Sequence, residues 1–468
     1  MKVVISNPLW YLPAIRCFLA VMIPGFGLTA ASRKSYIKQE VLKENFFITD
    51  PTVKQYKFNT MKGSPFAFFR ATNHLYYKDL NTEIIPVPSD WTNTPNISTW
   101  IQGDLHTQNF GFFTNNNDKI VFDINDFDES FIAPFYWDLI RYVTSIYLME
   151  NEMCFTMTSS ETDNLAMFFL EKYQDTLESV VGNDTEVNAE MVESNLSGFV
   201  LDTLHKLKNE KSNTTLLNEW TALVGGDRKF DFTNSKLAPL SAAEAKELID
   251  YYASYLTDIS SLVSANGDDY FRIKDMACRL ESGMGSLGVK KYYLLIEGPG
   301  SSMVDDIILE VKEERLPSMF LNPTLTVNTF HSDFANHALC AKTANMAMGR
   351  KVDKHTGVLT SNLRTYLVRK ISPWKHRYLS SDFKSQSALQ DYLKYTAIAL
   401  GYAHSRADKD YRPLYISYSF EKNAVDAIKI WPKFKTTVIN LAKSYSGQVK
   451  SDYDSFMELM NAGEVSSY

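Results

Sequence analysis

The chain has 468 residues, 45% hydrophobic and 22% charged, with a formal net charge of −7. That length allows two or three domains of roughly 150 residues, and the apolar content is ample for a large core. A net-negative chain with no run of five or six basic residues argues against a nucleic-acid partner, because phosphate contacts need a positive surface. Cys17, Cys154, Cys278 and Cys340 lie far apart with no CxxC spacing, which argues against a disulfide framework and a cysteine zinc site.

At the N-terminus, Lys2 and Arg16 precede an apolar run at 17–28 and the small residues Thr29-Ala30-Ala31-Ser32. The pattern is like that of a signal peptide, but Pro24, Gly25 and Gly27 interrupt it and Arg16 sits late. The cytoplasm is the expected location, with export the alternative if residues 1–31 are a leader. The run is shorter than the ~20 apolar residues of a membrane span, and no other stretch reaches that length.

Residues 33–60 are polar and mixed, an extended or helical lead-in. MKGSPFAFFRATNHLYYKDL (61–80) predicts a turn and then a helix, with Phe66, Phe69 and Leu75 near helical spacing. Residues 81–98 read as loop. A polar loop at 101–109 is followed by the strand-like run KIVFDIN, then by the apolar helix APFYWDLIRYVTSIYLME, whose only early charges are Asp138 and Arg141. A further helix is expected over 162–181, and a helical insertion with loops over 182–240. Ser241 and Glu244 form a capping box ahead of a helix running to about Ala265. Residues 289–298 and 306–314 read as a hairpin, 365–371 as a third strand, 384–405 as an amphipathic helix, and 424–462 as one or two helices with Pro432 marking a break or first turn.

The 101–128 stretch, IQGDLHTQNFGFFTNNNDKIVFDINDFD, carries the chemistry. Phosphoryl transfer from a nucleotide needs one carboxylate to take the acceptor's proton, and an amide with a second carboxylate to hold Mg²⁺. Asp104, then Asn109 five residues later, then Asp126-Phe127 after a strand supply these parts in the order a kinase-like site uses them. The plainer alternative is an acidic loop capping its own backbone. In the functional reading Asp104 is the base or positioning carboxylate, and Asn109 and Asp126 bind the metal. Asp128 is a second ligand or orients Asp126, and Asp123 can face either way. His106 divides evenly between a site role and a loop hydrogen bond. Asp138 needs a partner, because an unpaired buried charge is costly, and is expected to accept hydrogen bonds from the 102–109 backbone.

A second signal is Gly283-Met284-Gly285-Ser286-Leu287-Gly288, running into a strand. A dinucleotide site would place a helix there. A strand is what a kinase glycine flap over ATP phosphates requires. Lys312, in the next strand, sits where a phosphate-contacting lysine would lie, or is a surface lysine on a hairpin. Glu313 and Glu314 are expected to be solvated, unless one pairs with Lys312. Arg70 and the set His404, Arg406 and Asp408 are helix-end charges or site groups, with Arg70 the candidate phosphate contact and His404 or Asp408 reaching or bracing the site. The flap and lysine follow the 101–128 stretch by more than 150 residues, whereas they precede the catalytic loop in ordinary kinases. The order is permuted, or one motif is accidental.

GDLHTQNFG, VFDINDFDES and PFYWDLIRYVTS, together with SPFAFFRAT, DMACRLESGMGSLGVKKYYLLIEG, ILEVKEE and GYAHSRAD, resemble an uncharacterised, mostly bacterial family called domain of unknown function 2252. The similarity spans about residues 50–460. It implies a relationship to the protein-kinase-like fold that includes aminoglycoside phosphotransferases, whose motif is His-Gly-Asp-x-His-x-x-Asn. Here Gln102 replaces the first His, while Asp104, His106 and Asn109 match. The resemblance puts the metal aspartate on Asp126 and the flap and lysine on 283–288 and Lys312. The helix glutamate that pairs this lysine has no match, since 337–350 holds no acid.

The expectation is an α+β, protein-kinase-like two-lobed fold with permuted motif order. A small antiparallel-sheet lobe would span 266–380, a helical lobe 32–265 would carry the loop and metal aspartate, and helices at 381–468 would pack on it. The expected function is an ATP- and Mg²⁺-dependent phosphotransferase acting on a small-molecule hydroxyl. Asp104 and His106 would be catalytic, Asn109, Asp126 and Asp128 metal-binding, and Gly283, Gly285, Ser286, Gly288, Lys312 and Arg70 nucleotide-binding. One alternative is a nucleotide-binding pseudokinase, which the missing glutamate favours. Another is a hydrolase using Asp104, His106, Asp123, Asp126 and Asp128 with a metal-activated water, which leaves Lys312 without a role.

Overall fold

A computed structural model describes residues 30–280, 287–300, 302–321 and 332–465. Gly283, Gly285 and Ser286 lie outside the described residues, as do residues 1–29 of the expected leader; Ala30 and Ala31, counted in it, begin the helix Ala30–Glu44. The fold is mixed, with many helices and antiparallel sheets. No helix among the described residues is long and apolar enough to cross a membrane.

The apolar helix forms as Tyr136–Met149, and every residue in it is buried, Asp138 and Arg141 included. It packs on the long helix Phe434–Asn461, which also receives Ala30–Glu44. Ser159–Val180 starts at a capping box of Thr158 and Glu161 and packs against Gln386–Arg406. These helices share one large core. The break at Pro432 separates Phe420–Ile430 from Phe434–Asn461.

The larger sheet has six antiparallel strands in the order Gly357–Thr360, Thr365–Lys370, Ile307–Glu313, Lys291–Ile296, Ile273–Arg279 and Leu237–Ala238. Side chains alternate across it with period two. Leu294, Ile296, Leu309 and Val311 face Leu248 and Tyr255 of the capped helix Ala242–Asp258. Tyr293, Leu295 and Ile308 face Leu216, Leu217 and Trp220. The sheet's packing partners therefore begin at Asn213, upstream of the boundary expected at 266. The insertion read as helical also contains a hairpin, Thr221–Val224 with Asp227–Phe230. Its turn, Gly225-Gly226, has φ of 63° and 94°, which is the two-residue turn that matches strand twist.

Two small sheets create the site. Ser98–Ile101 pairs with Phe131–Pro134, and Phe110–Thr114 pairs with Ile120–Ile124. Ile101 lies opposite Phe131 and Phe110 opposite Ile124. The loops 102–109 and 125–130 are therefore clamped together at both ends.

Candidate functional site

Asp138, fully buried in the first turn of Tyr136–Met149, accepts from the backbone N–H of Gln102 (2.7 Å) and of Gly103 (3.1 Å). This is the bracing expected of it. Gly103 has φ 86°, and a Cβ there would lie 1.9 Å from the Glu129 carbonyl oxygen. Only glycine lets the two loops approach this closely. The Gln102 side chain then ties them together: its Nε2 donates to the Asp126 carbonyl (2.8 Å), and its Oε1 accepts from the Asp104 N–H (2.9 Å).

Asp104 meets Arg141, a fully buried arginine on the same helix as Asp138, whose Nε lies 3.2 Å from Oδ1 and whose Nη2 also donates to it. Oδ2 accepts no hydrogen bond among the described residues. Burial pushes the Asp104 carboxyl up to about 6, with Arg141 and Arg70 opposing. Asn109 Nδ2 donates to the Asp104 carbonyl (3.0 Å), which leaves the amide oxygen free to accept. His106 is buried, and burial with Arg70 and Arg141 nearby lowers its pKa well below the usual histidine range, so it is neutral. Its Nε2 accepts from Arg70 Nε (3.1 Å), and Arg70 also donates to Gln108 Oε1 (2.8 Å).

Opposite stands the charged end of the larger sheet. Alternation continues the Ile308 face into Glu310 and Lys312. Glu310 pairs with Lys291 (3.4 Å) and Arg369 (3.2 Å). Lys312 pairs with Asp128. Burial would raise the Asp126 carboxyl, but Lys312, Arg369, Lys291 and Lys375 outweigh it and hold the group below its ordinary range. Among the described residues Asp126 Oδ1 and Asp128 Oδ1 are buried with no hydrogen-bond partner. With the Asn109 amide oxygen they are side-chain oxygens lining one cavity, the ligand type that a hard cation such as Mg²⁺ takes.

A cavity of about 460 Å³ lies between the loops and this sheet edge, and all seven of Arg70, Asp104, His106, Asn109, Asp126, Asp128 and Lys312 line it. Its size falls in the range of small-molecule sites. Gly288 does not line it, but the next residue, Val289, does.

One expectation is corrected, and several positions left open take a side. Glu314 is not solvated: it is buried in this cavity, and burial pushes its carboxyl up to about 7, with Lys312 opposing. Glu313 is the half-exposed one, and it pairs with Arg364 (3.4 Å). Asp123 faces away from the cavity, toward Arg406 (3.6 Å). Arg406 donates to the carbonyls of Glu186, Ala189 and Met348, and Asp408 accepts from the N–H of Phe420 and Asp410. Neither lines the cavity. His404 braces the site from behind: Nε2 lies 3.3 Å from Asp138 Oδ2, and Nδ1 lies 2.8 Å from the Tyr173 hydroxyl.

Arg141, Glu129, Lys291, Glu310, Arg369 and Lys375 are site residues that motif reading missed. A signal existed for Arg141, since an arginine inside an apolar helix demands a counter-charge. Glu129 accepts from the N–H of Ser318 (2.5 Å) and from its hydroxyl (3.0 Å), a contact 189 residues apart that no local pattern shows.

The fold and site thus define a mixed helix-and-sheet protein with a charged, small-molecule-sized cavity where two clamped loops meet a sheet edge. The family model described as "Uncharacterized protein conserved in bacteria (DUF2252)" matches residues 49–459, and the chain belongs to that family. No curated protein and no solved structure matches the chain.

Proposed function

We propose that this protein is an ATP- and Mg²⁺-dependent phosphotransferase of permuted, kinase-like two-lobed design, acting on the hydroxyl of a small molecule. The observation that carries this reading is that Lys312 shares one cavity with Asp104, Asn109, Asp126 and Asp128, although more than 180 residues separate it from them in sequence. Lys312 lies on the third strand counted from Ile273–Arg279, the strand that enters the glycine run, and in protein kinases the phosphate-contacting lysine sits on the third strand.

The residues divide the work. Asp104 would accept the acceptor hydroxyl's proton at Oδ2, with Oδ1 anchored by Arg141. A carboxylate whose pKa is raised to about 6 is a better base near neutrality than an ordinary one. Asn109, Asp126 and Asp128 would hold Mg²⁺, which when bound neutralises phosphate charge. Lys312 would leave Asp128 for a phosphate oxygen. Glu314 offers the acid beside Lys312 that the helix His337–Met348 lacks. Use of ATP fits a cytoplasmic location.

The test pairs binding with turnover. ATP with Mg²⁺ should raise the melting temperature of the wild type, and Asp126→Asn should abolish that rise. Asp104→Asn should keep it while losing about 10²-fold or more in turnover, the scale of a lost general base. ATP consumption untouched by either change would overturn the reading. Nucleotide binding without turnover in the wild type would point to a pseudoenzyme, and metal-dependent activity without nucleotide to a hydrolase.

A further inference from the structure

A second group of acids gathers on the far side of Arg406, away from the cavity described above. Carboxylate oxygens of Asp184, Glu186 and Asp410 lie within 4.8 Å of one another. They come from two segments: the loop and short helix after Ser159–Val180, and the loop after Gln386–Arg406. Asp408 and Glu421 stand close enough to act electrostatically on the group.

Acids crowd many surfaces, so proximity alone decides nothing. Two further observations point to a ligand. Glu186 is 1% exposed and Glu421 4%, yet among the described residues Oε2 of each is buried with no hydrogen-bond donor, and the Glu186 carboxylate lies against that of Asp410. A buried carboxylate oxygen left unsatisfied costs on the order of 1–3 kcal/mol or more, so such atoms normally have a partner. Moreover, among the described residues none of Asp184, Glu186, Asp408, Asp410 and Glu421 makes an ion pair with a basic side chain. Arg406 is adjacent but spends its Nε on the Glu186 backbone carbonyl (3.2 Å), not the carboxylate.

We propose that Asp184, Glu186 and Asp410, with Glu421 behind them, bind a divalent cation of the Ca²⁺ class. The donors are all oxygen, which excludes softer metals on ligand type. Ca²⁺ sits about 2.3–2.6 Å from each oxygen, so opposite ligands stand up to roughly 5 Å apart, and the observed cluster fits inside that shell. Asp184 and Asp410 are exposed, which gives the ion an entry path. The site does not depend on the phosphotransferase reading. The ion would pin the 181–190 loop to the 407–419 loop, beneath the arginine that meets Asp123 on the strand delivering Asp126.

The experiment uses the full chain stripped with EDTA and titrated with CaCl₂, following heat of binding and melting temperature. One Ca²⁺ should bind and raise the melting temperature by several degrees. Asp126→Asn, which alters only the cavity donors, should retain this response. Asp184→Asn with Asp410→Asn, both at exposed positions, should lose at least about tenfold in Ca²⁺ affinity, and the isosteric Glu186→Gln should lose as much. Equal affinity in wild type and these variants would overturn the proposal. So would no binding to the wild type at millimolar Ca²⁺, which would mean that Glu186 and Asp410 share a proton instead.

Discussion

The two walls of the cavity are built on different physics. The loop wall, with Asp104, Asn109 and Asp126, is held by backbone: Asp138 takes two main-chain N–H groups, the Gln102 amide joins the loops, and paired strands close both ends. The sheet wall, with Lys291, Glu310, Lys312 and Arg369, is held by side-chain ion pairs, Glu310 with Lys291 and Arg369, and Lys312 with Asp128 of the loop wall. Backbone bonds to a buried acceptor leave little choice of geometry. Charged side chains that line a cavity can exchange partners without moving the backbone. The contrast suggests a fixed wall for positioning and an adaptable one for a charged ligand.

The largest effect should come from breaking the fixed wall. Asp138→Ala removes the acceptor for the Gln102 and Gly103 N–H groups and the partner of His404, all buried. Losing one side of a buried, charged network costs about 3–5 kcal/mol. Urea unfolding should show a loss of that size in Asp138→Ala and a smaller one in Asp138→Asn, which keeps one carbonyl acceptor. A loss below 1 kcal/mol in the alanine variant would mean the strands alone hold the loops.

This difference also decided what the sequence revealed. The fixed wall is local in the chain: Asp104, Asn109, Asp126 and Asp138 lie within 35 residues, and their spacing carries their geometry. The capping box at Ser241 and the hairpin around Lys312 were legible for the same reason, each being a short-range pattern. The sheet wall is assembled from Lys291, Glu310 and Arg369 on three strands, and its charges read as ordinary surface residues until the register aligns them. The burial of Glu314 is not legible, because alternation carried one residue past the strand Ile307–Glu313 says which face it takes, not that the opposing loops bury that face. The Gly225-Gly226 hairpin carried a visible turn signal that the polar surroundings obscured.

The second effect is one of pH and sharpens the role of Arg141. Asp104 in the folded chain holds its proton up to about 6, above its ordinary value of 3.8. The folded state therefore binds that proton more tightly than the unfolded chain does, so stability from this group is gained as pH falls through about 6 and lost as pH rises past it. Arg141→Met leaves burial unopposed by its nearest cation and should move the transition upward. The melting temperature should then fall more between pH 6 and pH 8 in the variant than in the wild type, and the acid limb of any turnover profile should shift to higher pH. Identical pH dependence in the two proteins would separate Asp104 from Arg141.

The smallest effect should come from the adaptable wall. Lys312→Met deletes the ion pair with Asp128, but the Asp128 side chain is 22% exposed and can be rehydrated. Removing the lysine also removes the cost of burying its charge, and the methionine stem keeps the packing. Stability should fall by less than in Asp138→Ala, because Asp128 can be rehydrated and the other cations around Asp126 remain, while the thermal response to ATP and Mg²⁺ should disappear. A stability loss as large as that of Asp138→Ala would show that the sheet wall is as rigidly specified as the loop wall, and that Lys312 is a structural strut, not a group held ready for a ligand.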